Sequence, residues 1–404
     1  MTTDAKTRAT KHALPTPDGD FYRLREILSP DEQKKLKQVR EFLEAKVAPI
    51  ITKYWAADSF PFEVVPGIRD LQIAGAGYEG HGCAGGSELF AGFLAMEFGR
   101  IDCSVATFFG VHSGLAMGSI YLCGSEEQKR KWLPPMARFE KIGAFGLTEP
   151  LAGSGTARGL TTTARREGDT WILNGQKKWI GNATFGDVTI IWARDLGDDQ
   201  VKGFIVENKS PGFKAEKIEH KMALRVVQNA LITMENCRVP AANELQSGEM
   251  TFRGAARVLR MTRSYVGWES VGCMMGAYEH ALRYAQTREQ FGKPIGSFQL
   301  VQDLLVKMLG NITSSLCMMV RCSKLQDEGK LKDEHASLAK AFCTARMRET
   351  VGWARELLGA NGILLDYQVG RFVADAEALY SYEGTREMQT LIVGKAISGL
   401  SAFV

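Results

Sequence analysis

A chain of 404 residues is too long for one compact core, and two to four domains are expected. Its 45% apolar and 24% charged content is that of an ordinary globular protein. With 50 Lys and Arg against 46 Asp and Glu, the net charge of +4 gives no support to a nucleic-acid-binding role or to attachment at an anionic membrane surface.

The polar, Pro-containing stretch 1–20 lacks an apolar signal core and reads as a disordered tail, so a cytoplasmic location is expected. The last residues, Ser401–Val404, do not form a peroxisomal address. A helical block is expected over 21–141. Ser29-Pro30-Asp31-Glu32 is a capping box with proline at the first helical position. Leu36, Val39, Leu43 and Val47 follow at helical spacing, and Pro49 is expected to stop that helix. Further helices are predicted over 86–100, 104–121 and 125–139. No apolar run of about 18 residues suggests a membrane span.

Gly75-Ala76-Gly77-Tyr78-Glu79-Gly80 matches G-x-G-x-x-G, and the match recurs from Gly80 to Gly85. A dinucleotide site needs a strand before this motif and a helix after it. The preceding residues, 64–73, read as helix, so a glycine-rich loop is the better reading.

Residues 142–247 read as a middle β domain. Thr161-Thr162-Thr163-Ala164, Trp171-Ile172-Leu173, 188–192, 203–206 and 231–234 have strand character, and Asn174-Gly175 is a hairpin turn signal. A small antiparallel barrel or sandwich is expected. Residues 248–404 return to helix over 253–288, 298–328 and 334–358, lengths that pack as a bundle. The eight cysteines, with no C-x-x-C pair, read as reduced, buried thiols. The six histidines are dispersed, so no metal site is expected.

One carboxylate stands out near the end, in Leu379-Tyr380-Ser381-Tyr382-Glu383-Gly384-Thr385. Beside Tyr380 and Tyr382 it can lose water, which raises its pKa and its strength as a base. The alternative is a solvated glutamate at a helix start.

Five segments together resemble the acyl-CoA dehydrogenase family of flavoproteins. They are Phe145-Gly146-Leu147-Thr148-Glu149-Pro150, Trp179-Ile180-Gly181-Asn182, Arg288-Glu289-Gln290-Phe291-Gly292, Leu358-Gly359-Ala360-Asn361-Gly362 and Tyr382-Glu383-Gly384-Thr385. Trp179–Asn182 and Gly77–Cys83 look most like the branch of glutaryl-CoA dehydrogenases and plant short-chain acyl-CoA oxidases. The resemblance implies a multi-domain α+β fold: N-terminal helices, a middle β domain and a C-terminal helical bundle. It implies FAD as cofactor, an acyl-CoA substrate, a homotetramer, and electron transfer to an electron-transfer flavoprotein or to O2.

By resemblance Glu383 is the base that takes the α-proton of the thioester, and its backbone N–H helps bind the thioester carbonyl. Some relatives place the base one position before an arginine. Here that pair is Thr262-Arg263, and threonine cannot serve. The resemblance puts Phe145, Leu147, Thr148, Ser154, Trp179, Ile180, Gly181, Arg288, Phe291, Gln299, Glu356, Gly359, Ala360 and Thr385 at the cofactor. It puts Ser154, Arg263, Gly384 and Phe403 at the substrate. Plainer roles stand beside these: a bundle salt bridge for Arg263, β-core packing for Trp179, a helix-surface charge for Arg288, a helix cap for Gly359-Ala360 and a turn for Ser154.

Four departures from the family pattern bear on function. Gly181 stands where many dehydrogenases have Thr or Ser, which would open space for oxygen. Ala106 stands where glutaryl-CoA dehydrogenases hold a distal carboxylate with arginine, so a monocarboxylic acyl group is expected. Gly155 replaces a commonly acidic residue, and Arg386–Gln389 departs from the usual polar run. An acyl-CoA dehydrogenase is the first reading. An acyl-CoA oxidase, or a non-catalytic binding or assembly protein, is the alternative.

Overall fold

The computed structural model describes residues 14–246 and 251–402. The expected substrate residue Phe403 lies outside the described residues. Helices α1 (Pro30–Phe42), α2 (Ala48–Ala56), α3 (Val65–Asp70), α4 (Glu88–Ile101), α5 (Cys103–Phe109), α6 (Met117–Cys123) and α7 (Glu126–Ala137) form the first body. The capping box is present: Ser29 Oγ accepts from Glu32 N, and Glu32 Oε2 accepts from Ser29 N.

Pro49 does not stop the first helix. Residues 43–47 take a wider π turn between α1 and α2, and Pro49 falls in the first turn of α2, where its missing N–H costs nothing. A second π turn, Gly110–Ala116, joins α5 to α6. The glycine stretch at 75–86 is a loop with a short parallel bridge between Ala76 and Gly85.

The middle body holds β1 (Gly143–Gly146), a short helix α8 (Thr156–Gly159), β2 (Thr163–Glu167), β3 (Thr170–Gly181), β4 (Val188–Asp195), β5 (Val201–Glu207), β6 (Phe213–Lys217) and β7 (Asn229–Pro240). The strand order is β1-β4-β2-β3-β7-β6, with β5 on the other edge of β4. The sheet is mixed rather than wholly antiparallel: β1 and β2 both run parallel to β4. Asn174-Gly175 does not turn a hairpin. β3 runs straight through it with a bulge, and the turn between β2 and β3 is Gly168-Asp169. The ladder with β7 continues past Gly175 to Gly181, and this pairing overrides the local turn preference.

The third body is a bundle of α9 (Phe252–Thr287), α10 (Gln299–Asp327), α11 (Asp333–Leu357), α12 (Val369–Ser381) and α13 (Arg386–Ser398). A small hairpin, β8 (Glu289–Gln290) and β9 (Lys293–Pro294), joins α9 to α10. α9 lies tightly on α4, where small residues let the backbones meet. A Cβ on Gly272 would fall 2.1 Å from the carbonyl of Met96. Two helical stretches, Cys103–Cys123 and Gln299–Asp327, are long and apolar enough to cross a membrane by length and composition alone. The first is mostly buried in the protein, and the second packs on α9 and α11. Six of the eight cysteines are buried as expected, but Cys83 is half-buried and Cys317 is exposed.

The first two bodies are riveted together. His112 Nδ1 accepts from Gly143 N at 3.0 Å, so the imidazole proton is on Nε2, which meets Met136 O at 3.0 Å. Asn182 Nδ2 donates to Phe108 O at 3.0 Å and to Gly143 O at 3.3 Å. Burial pushes the His112 pKa down to about 4.

Candidate active site

Residues 382–385 link α12 to α13 at the edge of a cleft. Glu383 has φ 54° and Gly384 φ 91°, so the chain turns through left-handed backbone at two successive positions. Two buried side chains hold this loop from below. Lys340 Nζ donates to Tyr380 O at 2.8 Å and to Gly384 O at 2.9 Å. Gln389 Nε2 donates to Glu383 O at 3.0 Å and to Gly384 O at 2.9 Å. A Cβ on Gly384 would lie 2.5 Å from that amide nitrogen, so glycine fits this position for both φ and space.

The Glu383 carboxylate is anchored by Thr262 of α9, whose Oγ1 donates to Oε2 at 2.9 Å. Burial raises the carboxyl's pKa above its ordinary value, and the Thr262 bond and the charges of Arg263 and Lys340 partly offset this. Thr262 therefore positions the Glu383 carboxylate. Among the described residues, Glu383 N–H makes no backbone hydrogen bond, which leaves it a free donor beside the carboxylate. Arg263 makes no ion pair within 4.0 Å among the described residues. Its Nη1 donates to Ser337 Oγ at 3.3 Å, and its buried Nε has no partner. The bundle salt bridge entertained for it is absent, and its charge faces Glu383.

The cleft beside this loop has about 390 Å³ of empty space, its open mouth included, between α4, the π turn 110–116 and α9. Ala106, Phe109, Tyr78, Ser113, Tyr265 and Glu269 are among the residues lining it. Tyr382, the neighbour of Glu383, donates its hydroxyl to Glu269 Oε2. Burial, together with the nearby Glu383 charge, pushes the Glu269 carboxyl up to about 8 against the Tyr382 bond. Thr262, Tyr265 and Glu269 recur at helical spacing, which turns one face of α9 toward the cleft.

The middle body supplies the other wall. Phe145 and Leu147 are buried, and Thr148 is half-buried at the end of β1. Glu149 pins this turn by accepting from Thr161 N, Thr162 N and Lys177 Nζ at 2.6, 2.9 and 2.8 Å. Burial opposes its ionisation, but Lys177 and the threonine donors outweigh this and hold its pKa down to about 2. Trp179 is 54% exposed and has φ 68° at a bulge, so it is not a β-core residue. Ile180 and Gly181 beside it are buried. A Cβ on Gly181 would meet Val111 Cγ2 at 3.3 Å, which places this strand end against the π turn of the cleft. A flat, partly apolar ring system fits here: an outward-facing indole lies beside a pinned turn whose Thr148 is half open to solvent. Ser154 is exposed in the loop after Glu149. Thr385 caps α13, its Oγ1 accepting from Met388 N at 3.4 Å.

Arg288, Phe291, Gln299, Glu356, Gly359 and Ala360 form a separate, exposed group. Phe291 is 92% exposed at the tip of the β8–β9 hairpin. Asn361 Nδ2 donates to Tyr284 OH at 3.0 Å, which ties the turn at 359–363 to this end of α9. Arg263 and Arg288 are separated by 25 positions of continuous helix, about 37 Å. One chain therefore does not bring this group to Glu383.

Three residues of the site went unread in the sequence: Lys340, Gln389 and Glu269. The signal was present for two of them. Lys340 lies on the apolar stripe of Ala336, Ala339 and Cys343, and Glu269 lies between buried Trp268 and Ser270, where a charge needs a reason.

The chain matches the models of the acyl-CoA dehydrogenase N-terminal domain over residues 29–140, the middle domain over 144–237 and the C-terminal domain over 252–398. It is 32% identical over 367 residues to an acyl-CoA dehydrogenase of Bacillus subtilis, covering 90% of this chain and 97% of that protein. A glutaryl-CoA dehydrogenase from Mycobacterium smegmatis, solved in complex with FADH2, superposes with a TM-score of 0.92 at 34% identity, covering 97% of this chain and 100% of that one. Butyryl-CoA dehydrogenase from Megasphaera elsdenii gives a TM-score of 0.87 at 31% identity, covering 92% and 98%. With its three bodies, its matches along nearly the whole length and its desolvated glutamate in place, the chain belongs to the acyl-CoA dehydrogenase family, oxidoreductases that act on the CH–CH bond of acyl-CoA.

Proposed function

We propose that this protein is an FAD-dependent dehydrogenase that converts a monocarboxylic acyl-CoA to the trans-2-enoyl-CoA. The observation that carries this reading is Glu383: a half-buried carboxylate, fixed by Thr262, with a free backbone N–H beside it. The carboxylate accepts the α-proton of the thioester. The Glu383 N–H donates to the thioester carbonyl and favours the charge that develops on its oxygen. FAD, held by Thr148 and Trp179, supplies the hydride acceptor when bound. Thr262 and the Lys340–Gln389 clamp keep base and donor at a constant separation.

The cleft supports a monocarboxylic substrate. Ala106 lines it where a carboxylate would need a cation, and no lysine or arginine is among the lining residues. The acceptor we infer is an electron-transfer flavoprotein. A Cβ at position 181 would meet Val111 Cγ2 at 3.3 Å, so Gly181 adds little open space beside it, which supports this acceptor over oxygen. Among the relatives is a subunit of a caffeyl-CoA reductase–Etf complex from Acetobacterium woodii, 31% identical over 369 residues. We also infer a homo-oligomer, most simply a tetramer. The Arg288 group would then serve the cofactor of a neighbouring subunit, which its separation from Glu383 requires.

Replacing Glu383 with Gln tests the base. The FAD-loaded variant should bind acyl-CoA, while anaerobic bleaching of its flavin by substrate slows by about 10²–10⁴-fold. Near-normal bleaching would remove Glu383 from this role. Steady oxygen uptake by the wild type with acyl-CoA in air would make it an oxidase instead.

A further inference from the structure

Glu269 has no part in the proposed removal of the proton, yet it is 95% buried and lines the cleft in which the acyl chain would lie. Its Oε2 takes the Tyr382 hydroxyl. Its Oε1 accepts no hydrogen bond among the described residues, and a Cβ on Gly110, another lining residue, would sit 3.2 Å from it. The other side-chain oxygens of the lining each already take part in a hydrogen bond. Tyr265 OH donates to Glu88 Oε2 at 2.8 Å, Tyr78 OH donates to Gly114 O at 3.1 Å, and Ser113 Oγ accepts from Gly75 N at 2.8 Å. The lining thus offers one unpaired oxygen and no cation. A plain alkyl chain would displace water from that oxygen and return nothing.

Resting on the reading of this cleft as an acyl-CoA site, we propose that Glu269 is a specificity-determining residue. It selects an acyl group that carries a hydroxyl beyond the two reacting carbons, and the hydroxyl donates to Glu269 Oε1. The count of donors and acceptors chooses the hydroxyl over other polar ends. A hydroxyl brings one donor to one acceptor. An ammonium brings a charge and three donors, two of them unmatched. A carboxylate brings a negative charge into a cleft whose lining holds no cation. Glu269 is held in place for this task, because Tyr382 fixes its other oxygen and the small residue at Gly110 leaves Oε1 uncovered.

The test uses the FAD-loaded protein and thioester pairs of equal heavy-atom count: 4-hydroxybutanoyl-CoA against pentanoyl-CoA, and 5-hydroxypentanoyl-CoA against hexanoyl-CoA. In at least one pair the hydroxylated thioester should lead in kcat/KM by about tenfold or more, the return expected for one buried hydrogen bond. Glu269→Leu should reverse the preference, and Glu269→Gln, which keeps an acceptor, should retain it. Binding of the same pairs to the Glu383→Gln holoprotein gives a readout independent of turnover and should rank them the same way. Equal or better use of the alkyl partner in both pairs would overturn the proposal, as would faster use of ω-amino or ω-carboxy thioesters. Turnover of alkyl thioesters without hydroxyl preference would sink this inference alone. Failure of every thioester both to bleach the flavin and to bind would sink the reading of the site as well.

Discussion

At the scale of single residues, the site is built from groups in costly states held by neighbours. Glu383 occupies left-handed backbone, a conformation that costs a non-glycine residue about 1–3 kcal/mol. Hydrogen bonds from Lys340 and Gln389 to the loop's carbonyls make that conformation the stable one. Glu269 is a second such case. Its pKa rises from 4.5 to about 8 on folding, because burial favours the neutral acid. The folded chain then binds this proton more tightly than the unfolded chain. Its contribution to stability is whole below about pH 4.5 and is lost as pH rises through about 8. Glu269→Gln has no such proton to lose. The Tm of the variant should therefore gain on that of the wild type steadily between those limits, and parallel Tm curves would show that Glu269 does not titrate this way. Glu383 stood out in the sequence as an acid beside two tyrosines, but its proposed role as base came from the resemblance of Tyr382–Thr385 to the family and not from that local pattern. The support of Glu383 was not legible there, because Lys340 and Gln389 reach it from other helices and no local pattern records that contact.

At the scale of elements, the long helices were legible because their apolar spacing runs for many turns. The breaks inside them were not. Pro49 signals a stop, but a π turn absorbs the irregularity and the chain goes on as α2. Asn174-Gly175 signals a hairpin, but β3 continues because its far half pairs with β7, a strand distant in the sequence (Gly175 with Met234, Gly181 with Asn229). Local turn chemistry lost to long-range pairing there. The α4–α9 contact is equally invisible to periodicity, since it depends on which small residues face each other. Gly272→Ala tests it directly. The added methyl would strike the Met96 carbonyl, so the helices must separate, at a cost of about 1–3 kcal/mol. A lowered Tm with flavin still bound is the expected result. An unchanged Tm would mean that the two helices do not meet this closely.

At the scale of the whole molecule, the two surfaces proposed to be functional lie at different parts of one long helix. The Glu383 cleft is near the start of α9 and the Phe291 hairpin follows its end. The exposed apolar residues Leu300, Val306 and Phe291 belong to the second surface and to the start of α10, where a neighbouring subunit would cover them. Phe291→Asp should lower the oligomeric state in light scattering and loosen FAD, with the fold intact by circular dichroism. Unchanged assembly and unchanged flavin content would separate this hairpin from both tasks.

The His112 joint between the first two bodies has a consequence for how the cleft behaves as acidity changes. The Glu269 carboxyl of the cleft is pushed up to about 8, but the imidazole that fastens the first two bodies is already neutral above about pH 4. Nothing in that fastening changes charge while that acid titrates. That joint keeps its charge state while its surroundings titrate, so an alkaline limb in the rate does not come from the His112 joint parting.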